Sequence, residues 1–477
     1  MTGSSSEFDW FDIKPMEWRL CAIVLLGGIA LHFPAVYYPA GFYIEAFLSM
    51  VSFFTPISGI LWLSAAQVVP DPPIGPFTSS QMAILGAAIL FFIRHDRLSL
   101  DYCKPVVLAM CPLFVWQTAM NYLHGSGHQL PLLMIYAGMT GCVAAMMAGE
   151  SGNRLGACLA AFLAGQALCA CVFWIIKLGL GAPVQAFDTS VYGDSSEIIR
   201  IGTARGNAGM LGMSAALATG FVGIFMFYAP QRKVGISQRL LLGLAFLGMC
   251  LTVPALISSG SRGGMIAAVA GLLILALFGR SISLFSVGLG VAGVALLLAF
   301  GWERLGLQQH WDEMRERQTS QTEESAHGAL VAGRELEWGP AWDAIMDSPV
   351  LGGGQVVKKS YFGSEEKWLS HSTYLDVGLV GGLPGMLLFL WFCMKPMEYL
   401  WRYRRVGVLL WLLSVYVTVI VCNASGSGLQ VKTFWILWGL ASVLPATTDG
   451  PITGARYKRN TTADPTARLS SPSRSET

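Results

Sequence analysis

The run Leu240-LLGLAFLGMCLTVPAL-Ile257 holds 18 residues without a charge. Coiled as a helix at 1.5 Å per residue it covers about 27 Å, close to the roughly 30 Å of a bilayer's hydrocarbon. Met265–Phe278 and Ile282–Phe300 follow and read the same way. None of the three alternates apolar with polar residues, as a barrel strand must. None is apolar on only one helical face, as a soluble helix is. In hydrocarbon the backbone has to satisfy its own hydrogen bonds, so such runs become helices. The fold class that follows is an all-α polytopic membrane protein.

Composition agrees. The chain has 477 residues, 54% of them hydrophobic and 13% charged, about half the charged fraction of an ordinary soluble domain. A net charge of +2 gives no reason to expect a nucleic-acid partner. Most of the ten cysteines lie inside apolar runs, among them Cys21, Cys142, Cys158, Cys250 and Cys393. None has metal-ligand spacing with histidine, so they read as small packing residues. Neither a metal nor a cofactor is expected.

Thirteen candidate spans can be drawn: 18–36, 43–65, 79–93, 105–119, 131–148, 156–179, 207–228, 239–257, 263–279, 282–301, 379–395, 406–422 and 431–446. Basic residues in short connections orient them, because such loops stay in the cytoplasm. Gln231–Arg239, Arg280, Lys395–Arg405 and Arg456–Arg459 are therefore read as cytoplasmic. That puts Gly181–Arg205, Ser258–Gly264 and Gly301–Ser370 together outside. Thirteen spans put the N-terminus outside as well, and twelve put it inside, the commoner arrangement. Twelve is preferred. The doubtful region is Pro34 to Thr55, where Tyr37, Tyr38, Pro39, Tyr43 and Glu45 look interfacial. The divisions expected are a cytoplasmic segment 1–17, a helix bundle 18–300, a large periplasmic loop with helices 301–371, C-terminal membrane helices 372–446, and a disordered cytoplasmic tail 447–477. No removable signal peptide is evident, so the first span is expected to serve as its own targeting signal.

The large loop concentrates charge and is too long for a mere connector. Glu335–Met346 reads as an amphipathic helix with Trp338 and Trp342 four apart, ended by Pro349 and Gly352-Gly-Gly354. Most of its charges are ordinary solvated surface. Four residues stand apart, all on the outer side: Arg200 at the end of the first outer loop, Arg262 in Ser-Gly-Ser-Arg-Gly-Gly, Arg334 after Gly333, and His371 at the membrane re-entry. A lone arginine at a span end is more often a snorkelling anchor than a ligand. Together they suit a diphosphate, since guanidinium forks make bidentate, permanently charged contacts. A histidine beside them can take a proton from a hydroxyl near neutral pH.

His371-Ser372, nine further residues, then Gly382-Leu-Pro-Gly385 resembles the histidine motif of the O-antigen ligases. Gly333-Arg334, Ser348-Pro349, Leu351-Gly352-Gly-Gly354 and Ser261-Arg262-Gly263 are similar to the segments that accompany it. The resemblance spans roughly residues 200–390. It implies a GT-C-like membrane glycosyltransferase of the O-antigen ligase and O-antigen polymerase superfamily. It implies an undecaprenyl diphosphate-linked glycan as donor and a lipid A–core or growing glycan as acceptor. The reaction implied is metal-independent, inverting, and on the periplasmic face of a bacterial inner membrane. Carried over by residue, Arg262 and Arg334 bind the diphosphate, Arg200 joining them only on the general pattern of a basic outer-loop residue, and His371 activates or orients the acceptor. Gly263, Gly333, Gly382 and Gly385 take structural positions. Val380 stands where the family often has an acidic residue, so no carboxylate role is carried over there, and the role of Asp376 is open.

The expectation is a ligase, with a polymerase using the same donor as the alternative. A lipid-linked glycan transporter would bury charges in several spans, and these spans are nearly charge-free. An envelope-assembly scaffold would tolerate loss of His371.

Overall fold

In the computed structural model, residues 11–67, 69, 78–93, 100–125, 129–152, 154–177, 219–224, 236–258, 262–279, 335–353, 372–424 and 432–443 are described. Among them there is no strand. The helices are α1 Pro15–Ala30, α2 Pro34–Val51, α3 Pro56–Ala65, α4 Ser79–Ile93, α5 Lys104–Leu123, α6 Gln129–Glu150, α7 Leu155–Lys177, α8 Ile236–Ser258, α9 Arg262–Phe278, α10 Glu335–Asp347, α11 Thr373–Arg402, α12 Gly407–Ala424 and α13 Lys432–Ser442. Among the described residues, Leu100–Leu123, α11 and α12 are long and apolar enough to cross a membrane.

Prolines set several starts. Pro15, Pro34 and Pro56 each open a helix, where the missing N–H costs nothing and φ is already helical. This corrects two expected spans. The segment 18–36 ends at Ala30, before Pro34. The segment 43–65 is broken by a short 3₁₀ turn, Ser52–Phe54, and restarts at Pro56. Glu45, expected near the interface, is fully buried and accepts a hydrogen bond from the hydroxyl of Ser79, the first residue of α4, at 2.9 Å. The span expected at 379–395 is longer at both ends, α11 running from Thr373 to Arg402. The span 282–301, most of 207–228, residues 301–334 and 354–371 of the large loop, and the tail 447–477 lie outside the described residues.

The directions of the C-terminal helices can be read from their contacts. Ser414 of α12 donates to the Gly271 carbonyl of α9 at 2.8 Å. Ala267 and Ala268 of α9 pack with Cys422 of α12 and Leu256 of α8. At the other end Phe278 meets Trp401 edge-on at 4.9 Å, and the Arg404 guanidinium lies over both rings. So α9 and α12 are antiparallel. Tyr374, in the first turn of α11, donates to the Ile420 carbonyl of α12 at 3.1 Å, which makes α11 antiparallel to α12 as well. One end of the bundle therefore carries Arg402, Arg404 and Arg405. Exposed Arg239, in the first turn of α8, lies at that end too, because Leu256 near the other end of α8 packs with Ala267 and Cys422.

The N-terminal half joins at the same basic end. Phe11 stacks on Trp411 of α12 at 5.8 Å. Nearby, Arg154 pairs with Glu17 at 2.5 Å, both largely buried. Deeper in, polar side chains tie helices together, as hydrocarbon demands of any buried donor. Gln166 of α7 donates to the Ser64 carbonyl of α3 and accepts from Thr433 of α13. The core between α11, α12 and α13 is aromatic: Phe389, Phe392, Tyr416, Phe434, Trp435 and Trp438 are all buried, with Phe392 and Trp438 stacked at 4.8 Å.

Candidate functional site

The residues that carry the expected chemistry flank described elements. Arg200, Gly333, Arg334 and His371 lie outside the described residues. Arg262 opens α9, and its side chain is likewise outside them. Gly263 follows in the first turn. What the structure gives is the frame on which these positions hang.

Two helix starts define it. α9 begins at Arg262 and α11 at Thr373, with Ser372 as N-cap directly after His371. Both starts point away from the Arg402–Arg405 end, because both helices run antiparallel to α12. The Ser372 carbonyl receives the Asp376 amide at 2.9 Å. Asp376 itself is buried in this first turn.

α10 is fixed to the same helix. Its inner face, Ala341, Ala344 and Ile345, is buried against Leu375, Leu379, Leu383 and Met386 of α11. The turn that follows, 348–353, then inserts its backbone into a break in α11. Gly382 has φ 64° and ψ −166°, a conformation essentially limited to glycine. Here the expected bond from Leu383 N–H to Leu379 C=O is opened. Leu383 donates instead to the Pro349 carbonyl at 2.7 Å, and the Leu379 carbonyl accepts from Gly353 at 2.9 Å. Gly352, with φ 66°, lies directly on the break: a Cβ there would sit 2.6 Å from the Gly382 nitrogen and the Val380 oxygen.

The opposite side of the break is held by α5. Trp116 Nε1 donates to the Gly381 carbonyl at 2.7 Å, and Gln117 Nε2 to the Val377 carbonyl at 3.1 Å. A Cβ on Gly385 would lie 2.5 Å from that Gln117 nitrogen, so the amide needs the bare backbone to reach in. Gly382 and Gly385 thus serve two different contacts, one to the loop after α10 and one to α5.

Sequence reasoning missed Trp116, Gln117 and Tyr374. Gln117 had a signal: a long polar side chain in an apolar span has to find a partner inside the bundle. The pairing of Pro349 with Leu383 had none, since nothing in spacing reports that a loop backbone replaces a helical bond.

Residues 247–390 match the family model described as O-antigen ligase. The match takes in Arg262, Arg334 and His371, as well as α10 and the broken part of α11, and leaves Arg200 outside. No curated protein matches the chain.

Proposed function

We propose that this chain, a membrane protein of the O-antigen ligase superfamily, moves a glycan from an undecaprenyl diphosphate carrier to a lipid A–core acceptor on the periplasmic face of the inner membrane. The observation that carries the proposal is the shared direction of α9 and α11. Their starts, beside Arg262 and His371, point away from the arginine-rich end, and basic ends stay cytoplasmic.

In this reading the acceptor hydroxyl attacks the anomeric carbon as His371 takes its proton. The bond from that carbon to the diphosphate breaks with inversion. Arg262 and Arg334 neutralise the leaving diphosphate; Arg200 precedes the matched residues in sequence. The packing of Ile345 on Gly378 and, four residues on, of Pro349 at Leu383 supports a common sense of direction for α10 and α11. That would set the turn after Arg334 and the turn after His371 toward one end.

The test is acceptor choice. Purified chain in proteoliposomes receives a defined lipid-linked glycan with either lipid A–core or a second lipid-linked unit. Glycan on lipid A–core is the expected product. Extension on the carrier instead would make the chain a polymerase of the same superfamily, and transfer to neither sinks the proposal. Labelling of a Ser325→Cys variant should come from outside only; labelling from the cytoplasm alone removes the proposed orientation.

A further inference from the structure

α10 has a second face that no described residue covers. Trp342, Met346 and Val350 recur every four residues, so they form one stripe along the helix and its following turn. They are 44%, 49% and 59% exposed, while Ala341, Ala344 and Ile345 on the inner face are buried against α11. In water such a stripe is a liability.

The position of α10 on α11 decides what meets it. Leu383 and Met386, which α10 covers, lie beyond the break at Gly382 in a helix long enough to span. Four and eight residues on, Leu387, Leu390 and Met394 continue the same helical face, and they are exposed. An exposed apolar face on a spanning helix faces acyl chains. α10 therefore caps the upper edge of a lipid-facing strip. Depth agrees. Trp401 and Arg402 are the kinds of residue that anchor a helix at a bilayer surface. Met386 is 16 residues above Arg402, a rise of about 24 Å, and Gly382, where the helix breaks and the turn after α10 enters, is 20 residues above, about 30 Å. With roughly 30 Å of hydrocarbon, α10 straddles the far boundary between acyl chains and headgroups.

We infer that α10 is a membrane-interface helix whose Trp342–Met346–Val350 stripe seats in the acyl chains of the leaflet on the Arg262 side. The partner is bilayer lipid. Asp343 and Asp347, both exposed, form the neighbouring row, turned about 100° around the helix from the stripe, and tryptophan at such a boundary has its ring in the apolar layer and its N–H in the wet one. The inference rests on the membrane character of α11 and not on any transfer reaction. Its consequence is that this part of the large polar loop rides on the bilayer rather than standing in water.

The experiment places p-benzoylphenylalanine at positions 342, 346 and 350, and separately at 343 and 347, in the full chain. The variants are reconstituted in vesicles of phosphatidylethanolamine and phosphatidylglycerol and irradiated. Phospholipid adducts should form at 342, 346 and 350 at least several-fold more than at 343 and 347. Equal adducts at all five, or crosslinks from all three stripe positions into residues 301–334 or 354–371, would overturn the inference. In the unmodified chain, hydroxyl-radical footprinting in the same vesicles should oxidise Met346 no faster than Met394. Oxidation of Met346 at several times that rate would overturn it independently.

Discussion

The amide of Leu383 donates to the carbonyl of Pro349, 34 positions earlier in the chain, at 2.7 Å, and not to Leu379 one turn below. This exchange exists because Gly382 breaks the helix and Gly352 lets the loop backbone enter. Both glycines have positive φ, and a side chain on either would strike backbone, Pro349 O at 2.6 Å from Gly382 and Val380 O at 2.6 Å from Gly352. Backbone cannot rotate aside. Gly382→Ala and Gly352→Ala should each cost several kcal/mol, since the conformation alone costs on the order of 1–3 kcal/mol and the clash adds to it. Gly385→Ala meets the end of the Gln117 side chain most closely, the nearest backbone atom, Val377 O, lying at 3.3 Å, and should cost about 1–2 kcal/mol. Thermal unfolding in detergent checks the order; equal losses at 382 and 385 would contradict the clasp.

The bonds from α5 make a separate prediction. Gln117→Leu removes the donor to the Val377 carbonyl, and Trp116→Phe the donor to the Gly381 carbonyl. Each should destabilise by about 1 kcal/mol, because hydrogen bonds between membrane helices average about 0.6 kcal/mol and reach about 1.7. The two donors serve carbonyls one turn apart on α11, so the double variant should lose less than the summed single losses or more, but not their plain sum. Strict additivity in a double-mutant cycle would show that they do not act on a shared break.

These two contacts also mark the limit of what could be read from the chain alone. The all-helical class followed from uncharged runs such as Leu240–Ile257, because hydrocarbon leaves the backbone no alternative. The spacing from His371 to Gly382 and Gly385 was visible as a motif. Its physical content was not, because a broken helix bond and the loop that replaces it are set by tertiary approach. Segment ends failed for a local reason: hydrophobicity runs smoothly across Pro34 and Pro56, whereas helices start anew there. The partner of Glu45 was out of reach for a related reason, since nothing in the spacing of a lone carboxylate among aromatics reports the Ser79 hydroxyl it accepts from.

The basic end offers a test of burial. Glu17 accepts from both Arg154 and the Lys14 amide, at 2.5 and 2.8 Å, and only 4% of its side chain is exposed. Breaking a buried pair leaves one charge without compensation and costs on the order of 3–5 kcal/mol. Arg154→Ala should approach that loss, and Arg154→Ala with Glu17→Gln should recover part of it, because the amide can still accept from Lys14. Chemical unfolding of both variants decides this. A double variant as unstable as Arg154→Ala would show that packing of the arginine, not charge, holds α1 to α7.

Tyr374 and His371, three residues apart, should separate structure from chemistry. The Tyr374 hydroxyl ties the first turn of α11 to the Ile420 carbonyl of α12, and its ring meets Phe389 edge-on at 5.5 Å. Tyr374→Phe retains the ring and loses the bond, so it should lower stability by about 1 kcal/mol and reduce transfer in step with the loss of order at the helix start. His371→Ala, under the proposed reaction, removes the proton acceptor and should cut transfer by roughly 10²–10⁴-fold with unfolding little changed. Proteoliposome transfer rates measured beside unfolding curves distinguish the two. If His371→Ala transfers glycan at the parent rate while Tyr374→Phe does not, the end of the bundle beside α11 matters for its architecture, and the proton acceptor must be sought on another residue.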